Sequence, residues 1–363
     1  MVSIMDIEER MNLVREVGEE IVSEEELKEL LLTKKDLVAY DGFEPSGNLH
    51  IAQGLLRTIN INKMIKAGFK FKMFVADWHG WANNKMEGDL EKIQVVGRYQ
   101  IEIWKACGMD LENVDFIWGS ELVKDEEYWM KVMKIAINST LKRIIRCSQI
   151  MGRGESESLQ ASQILYPCMQ AADIFHLGAD VCQLGMDQRK VNMLAREIGP
   201  KLGWWKPVVV SHHMMMGLLP PKDKEYEDLM DKTIDMKMSK SKPDSAIFMT
   251  DSEDEIKRKI KKAYCPEGQV DENPMMEYSK YIIFEKFDEF TVKRPEKFGG
   301  DLTFSSYKEL ADAYTKKELH PLDLKTAVVE YINELIQPVR EHFEKNEEAK
   351  KLLEQFRGFE ITR

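Results

Sequence analysis

The chain has 363 residues, 43 % hydrophobic and 32 % charged, with 52 Lys and Arg against 63 Asp and Glu for a formal net charge of −11. That length suits about two domains able to bury a core without staples, and the composition excludes a disordered, collagen-like or low-complexity chain. The acidic excess is uneven: residues 1–36 carry 5 basic and 11 acidic side chains, residues 251–363 carry 20 and 25, and residues 37–250 carry 27 of each. A bulk basic polyanion binder is thereby excluded, whereas a locally positive face in the middle of the chain is not.

Residues 3–35 read as two acidic amphipathic helices, the second opened by Ser23 with Glu26 at capping-box spacing. Residues 37–41 form a short apolar run ended by Gly42, a buried strand. After a Pro45-Ser46-Gly47-Asn48 loop, a helical pattern runs from Leu49 to Gly68, followed by a strand over 69–77, a helix over 90–107 and a strand over 114–120. Strand, helix, strand, helix, strand predicts a parallel α/β sheet. Residues 121–176 show helix only and read as an insertion; strand resumes over 180–184, helix over 188–198 and strand over 207–211. Residues 218–246, polar and lysine-rich, read as a mobile loop, and from Ser252 onward the pattern is helical, which suggests a separate all-α domain near 251–363.

Five scattered cysteines (Cys107, Cys147, Cys168, Cys182, Cys265) lack Cys-x-x-Cys spacing. They point away from a disulfide framework or a zinc site and toward a reducing, cytoplasmic compartment. The adjacent His212 and His213 have no third ligand near them in sequence, so no metal site is expected. Asp6, Glu8 and Glu9 open the chain in place of an apolar leader, and no uncharged apolar run reaches the ~18 residues of a membrane span.

Nucleotide chemistry has two candidate carriers, since no P-loop is present. Phe43-Glu44-Pro45-Ser46-Gly47-Asn48-Leu49-His50-Ile51-Ala52-Gln53 follows the first strand and opens a helix, whose N-terminal N–H groups favour phosphate. His50 and Gln53, three apart, both offer donors to charge growing on a phosphate under attack; an ordinary loop with a capping His is the competing reading. Lys237-Met238-Ser239-Lys240-Ser241 places two lysines and two hydroxyls on the predicted loop, suited to departing pyrophosphate, or simply a solvated basic loop. A third signal is the stripe Tyr166, Gln170 and Asp173 at i, i+4 and i+7, followed by Gly185-Met186-Asp187-Gln188-Arg189-Lys190. An Asp and a Gln on an apolar face need partners if buried, and a ligand supplies them; a polar edge facing water is the alternative.

Together, His50-Ile51-Ala52-Gln53 and Lys237-Met238-Ser239-Lys240-Ser241 resemble the "HIGH" and "KMSKS" motifs of class I aminoacyl-tRNA synthetases, with Ala52 and Gln53 in place of Gly and His. Over roughly residues 36–345 the chain resembles tyrosyl-tRNA synthetases of the archaeal and eukaryotic type, and it shares the His-Ile-Ala-Gln variant with plant and protist cytosolic forms. The resemblance implies a Rossmann-type doubly wound sheet with a helical insertion, then an α-helical anticodon-binding domain. It implies ATP, with Mg²⁺ accompanying it, tyrosine and tRNA(Tyr) as substrates, a homodimer formed through the insertion (Gln149 to Gly152 being the candidate surface), and no membrane. Tyr40 and Asp173 would hold the phenol, and Tyr166, Gln170 and Gln188 the amino end. ATP would lie against Gly42, Glu44, Pro45, Ser46, Gly47, His50, Gln53, Met238, Ser239, Lys240 and Ser241, with His50, Gln53, Lys237 and Lys240 catalytic. Arg189 and Lys190 align with readers of the acceptor end, and Phe298 and Asp323 with contacts to the first anticodon base. Without the resemblance, Phe298 reads as a core residue and Asp323 as a helix N-cap. A tryptophanyl enzyme, a small-molecule nucleotidyltransferase and a non-catalytic RNA binder are the rival readings.

Overall fold

The structure, a computed structural model, describes residues 6–151, 159–222, 229–238 and 243–359. In chain order the first elements are α1 (Ile7–Val17), β1 (Gly18–Val22), α2 (Glu24–Thr33), β2 (Leu37–Phe43), a π-helical turn (Ala52–Leu56) running into α3 (Arg57–Lys66), β3 (Phe69–Val75), α4 (Asp77–Ala82), α5 (Leu90–Ala106) and β4 (Val114–Trp118). The helices α6 (Gly119–Leu122), α7 (Glu126–Ile137), α8 (Leu141–Cys147) and α9 (Ala161–His176) fill the predicted insertion. Then come β5 (Val181–Gly185), α10 (Arg189–Ile198), β6 (Val208–His212), α11 (Leu229–Met236), α12 (Glu253–Lys262), α13 (Pro274–Tyr278), β7 (Phe290–Val292), β8 (Leu302–Phe304), α14 (Tyr307–Thr315), α15 (Pro321–Lys345) and α16 (Glu347–Arg357).

One six-stranded sheet has the order β1-β6-β5-β2-β3-β4, parallel throughout except for β1, which runs antiparallel to β6. Both faces are covered, as a parallel sheet requires. Along β2 and β3 the side chains alternate: Leu37, Ala39, Phe43, Phe71 and Met73 join one buried cluster, whereas Tyr40 and Phe74 join a second one with α7, α8, α9 and α10. This is the doubly wound α/β architecture of the sequence reading. The chain reverses direction across the sheet between β5 and β2, and the crevice beyond the carboxyl ends of strands at such a point is where ligands bind.

The structure departs from the sequence reading in four places. Residues 18–22 are a strand, not helix: the free backbone edge of β6 pairs with Gly18–Val22 and overrides the local pattern, while Glu19 and Glu20 keep the new edge charged. The segment from Leu49 begins as a π turn rather than as a regular α-helix. The polar stretch 218–246 contains α11, and the helical C-terminal part contains the short β7–β8 hairpin. The C-terminal helices also share their buried cluster with α1, α3 and α5; Tyr99 of α5 stacks on Phe356 of α16 with ring centroids 4.5 Å apart.

Candidate active site

A cleft of ≈ 340 Å³ opens at the reversal point, lined among others by Tyr40, Gly42, Glu44, Ser46, His50, Gln53, Tyr166, Gln170, Asp173, Gln188, Lys237 and Met238. Residues from four distant segments of the sequence, each singled out by its motif, therefore meet on one surface. Pro45 and Gly47 belong to the same loop; Gly47 sits at φ +135°, where a side chain is strained, and its carbonyl accepts from Gln100 Nε2 at 2.6 Å. Ser239, Lys240 and Ser241 lie outside the described residues.

The segment that follows the Lys237 loop is pinned to the His50 segment. His50 forms an antiparallel bridge with Phe248, Ile51 N–H donates to the Ile247 carbonyl (2.9 Å), and Met249 N–H donates to the Leu49 carbonyl (2.8 Å). The chain returning from the Lys237 loop is thus anchored on the His50 segment. Gly54 permits the approach, since a Cβ there would fall 2.5 Å from the Met249 sulfur. Trp104 Nε1 fixes the turn from behind through the Gln53 carbonyl at 2.8 Å.

Within the cleft, Tyr40 and Asp173 are both 1 % exposed. Burial, then the nearby Cys182 and Asp173, push the Tyr40 hydroxyl well above its ordinary range, so it is a neutral donor. Asp173 Oδ1 accepts from the Tyr128 hydroxyl at 2.9 Å. His79 Nε2 stands 3.0 Å from Asp173 Oδ2, out of hydrogen-bond alignment, which leaves Oδ2 as a buried acceptor lacking a donor. Tyr166 donates to Glu44 (3.1 Å), Gln170 Nε2 to Gln188 Oε1 (3.1 Å), and Gln188 Nε2 to the Ile150 carbonyl (3.2 Å). Sequence reasoning missed His79 and Tyr128 as partners of Asp173. A His just past the end of a strand was a signal for the first, but only tertiary packing brings in Tyr128.

The floor of the cleft carries charge that the motifs did not announce. Arg57 Nε lies 2.8 Å from Asp41 Oδ2, and burial, outweighing that cation, pushes the Asp41 carboxyl up to about 6. Asp187 accepts from Lys237 Nζ at 2.8 Å; burial alone would raise its pKa, but Lys237, with smaller help from His212 and Gln188, brings it below its ordinary value. His212 is pushed down to about 3 by burial and then by Arg57, so its imidazole is neutral. His213, one residue on, is raised to about 9: burial opposes this, but Glu19 and Glu277 overcome it. The two histidines therefore have opposite charge states, and among the described residues no group of three His, Cys, Asp or Glu is placed to hold a metal ion.

The remaining predicted residues lie away from the cleft wall. Arg189, at the start of α10, forks onto Glu20 of β1 at 2.6 and 2.9 Å, with Lys190 beside it. Phe298 is 61 % exposed, which corrects the reading of it as core; Lys297 Nζ sits 4.9 Å from its ring centroid. Asp323 is in the first turn of α15, but the N-cap is His320, whose Nδ1 accepts from Leu322 N–H at 3.1 Å. Arg294 ties the Phe298 turn to the approach of α15 through the carbonyls of Gly300 (2.9 Å) and Glu318 (3.0 Å).

Over residues 32–337 the chain matches the family of tRNA synthetases class I (W and Y), and it belongs to that family. It is 52 % identical over 361 residues to tyrosine–tRNA ligase 1, cytoplasmic, of Arabidopsis thaliana, which covers 99 % of this chain and 90 % of the relative. Tyrosine–tRNA ligase of Thermococcus sibiricus is 43 % identical over 381 residues, with 99 % of this chain and 100 % of the relative covered. The crystal structure of the Pyrococcus horikoshii tyrosyl-tRNA synthetase with L-tyrosine superimposes with a TM-score of 0.90 at 41 % identity, covering 96 % of this chain and 100 % of that one. Within a family of two amino-acid specificities, these relatives all stand on the tyrosine side.

Proposed function

We infer that this chain is a tyrosine–tRNA ligase, which joins tyrosine to ATP as tyrosyl-adenylate with release of pyrophosphate and then passes the tyrosyl group to the 3′ adenosine of tRNA(Tyr). The observation that carries the choice of tyrosine over tryptophan is the unpaired buried oxygen of Asp173 beside the Tyr40 hydroxyl. A phenol both donates to that oxygen and accepts from the Tyr40 hydroxyl, whereas an indole N–H can donate but offers no acceptor in return.

We assign the tyrosine amino end to Tyr166, Gln170 and Gln188, already tied through Glu44 and to each other. The substrate carboxylate then attacks the α-phosphate held at the turn of His50 and Gln53, whose donors offset the growing charge. Lys237 leaves Asp187 to meet the departing pyrophosphate, with Lys240 as its companion on the loop. Little acid–base chemistry by protein groups is needed, so positioning and charge stabilisation provide most of the rate. Mg²⁺ travels on the triphosphate.

Arg189 and Lys190 take the acceptor end, and Phe298 and Asp323 the first anticodon base, placing the catalytic part within residues 36–250 and the anticodon end within 251–363. Exposed Met130, Met133, Ile137 and Leu141 make an apolar patch along α7 and the start of α8, and we assign it to a homodimer contact. The expected Gln149–Gly152 surface reaches outside the described residues. No described helix is long and apolar enough to cross a membrane, and a cytoplasmic site of action follows the Arabidopsis relative. Tyrosine-dependent exchange of pyrophosphate into ATP tests the assignment; exchange driven by tryptophan and not by tyrosine refutes it.

A further inference from the structure

Between β6 and the Lys237 loop, the chain is fixed from outside the sheet by a charged cluster that plays no part in the steps above. Residues 215–217 are the platform on which the loop base lies: Met238 N–H donates to the Met215 carbonyl (3.3 Å), Gly217 N–H to the Met236 carbonyl (2.7 Å), and Met216 forms an antiparallel bridge with Lys237. Two α13 side chains grip that platform at its centre. Glu277 Oε2 accepts from Met216 N–H at 2.7 Å, and the fully buried Tyr278 donates its hydroxyl to the Met216 carbonyl at 3.1 Å.

The Glu277 carboxylate is itself held. His213 Nε2 lies 3.2 Å from it, and the other ring nitrogen lies 3.3 Å from Glu19 of β1. The imidazole stacks on Tyr281 with ring centroids 4.4 Å apart and planes inclined by 14°, which fixes its orientation. Cationic at neutral pH, His213 faces Glu19 and Glu277, with Lys280 the other cation beside Glu19 and the neutral His212 next to it in the chain. Glu19 of β1 and Glu277 of α13 thus converge on the imidazole just past β6, and the Glu277 carboxylate makes its other contact with the backbone of the loop platform.

We propose that Glu277 is a positioning residue for Lys237: braced by His213 and Glu19, it fixes the Met216 backbone against which the lysine-bearing strand registers. The proposal rests on the reading that Lys237 serves the departing pyrophosphate. Because α13 belongs to the C-terminal helices, the alignment of the loop is set in part by the segment of the chain assigned to the anticodon end.

The test is a double-mutant cycle in tyrosine-dependent pyrophosphate–ATP exchange. Glu277→Ala is expected to lower kcat about tenfold to a hundredfold, the penalty for a displaced catalytic group, with the tyrosine KM within about twofold of wild type. Glu277→Gln, whose amide oxygen still accepts from Met216 N–H, recovers most of the loss. In a Lys237→Ala background Glu277→Ala costs less than about twofold, since coupled groups are non-additive. A wild-type kcat for Glu277→Ala beside a slow Lys237→Ala overturns the proposal alone, and so does a loss of full size in both backgrounds. Lys237→Ala exchanging at the wild-type rate overturns the role of Lys237 and the proposal with it. Should Glu277→Ala not fold, His213→Asn runs the same cycle with the same expected pattern.

Discussion

Replacing Asp173 by asparagine isolates the negative charge presented beside Tyr40. The swap conserves volume, and its carbonyl oxygen can still accept from the Tyr128 hydroxyl, so the buried pair at 2.9 Å survives as a neutral hydrogen bond. What is lost is the charged acceptor at Oδ2, which has no donor until a phenol arrives. A hydrogen bond to a charged group contributes roughly 1.5–3 kcal/mol, so kcat/KM for tyrosine in pyrophosphate exchange should fall roughly 10- to 150-fold. Phenylalanine never used that bond, and its rate should stay level or rise because a buried carboxylate is no longer left unpaired. The discrimination between the two amino acids therefore narrows by at least the tyrosine loss. Tyrosine activation within about twofold of wild type, or an equal fall for phenylalanine, would refute the pocket assignment.

Phe298→Ala removes an exposed ring assigned to base stacking, a contact usually worth ~1–3 kcal/mol, so kcat/KM for tRNA should drop several-fold or more while pyrophosphate exchange is unchanged; equal damage to both steps contradicts the assignment. Gly54→Ala forces a methyl to 2.5 Å from the Met249 sulfur, and overpacking of this kind costs about 1–3 kcal/mol, to be read as a lower denaturation midpoint relative to wild type. His213 has its pKa raised from 6.5 to about 9 in the folded chain, so its contribution to stability is complete below pH 6.5 and is lost as pH climbs through 9. That contribution is at most about 3 kcal/mol, and less because Glu19 is half exposed; urea melts from pH 6 to 10 should show wild type converging on His213→Asn, and parallel curves would contradict the ion-pair account.

The alternation of strand and helix from Leu37 to His212 was legible because strands buried on both faces are near-continuous apolar runs, as Val208–Val210 shows. The Tyr166, Gln170 and Asp173 stripe was legible because helix period brings such positions to one face of α9. Strand β1 was not, since Gly18-Glu19-Glu20-Ile21-Val22 becomes strand only through the edge that β6 offers, nearly two hundred residues later. The three-residue strands of the β7–β8 hairpin are too short to leave a period. Tyr128 against Asp173, Arg57 against Asp41 and Glu277 against Met216 are all encounters across distant segments, and no spacing in the chain encodes them.

The alternating pleat of β2 gives adjacent residues separate duties. Tyr40 faces the layer of α7 and α9, while Asp41, the next residue, meets Arg57 at the foot of the opposite layer. The contact we assign to the amino acid and the ionic support beneath the His50 turn therefore come from opposite surfaces of a single backbone, one peptide apart. Inserting or deleting one residue in this strand would exchange the two, facing an aromatic ring toward a guanidinium and a carboxylate toward the ring layer.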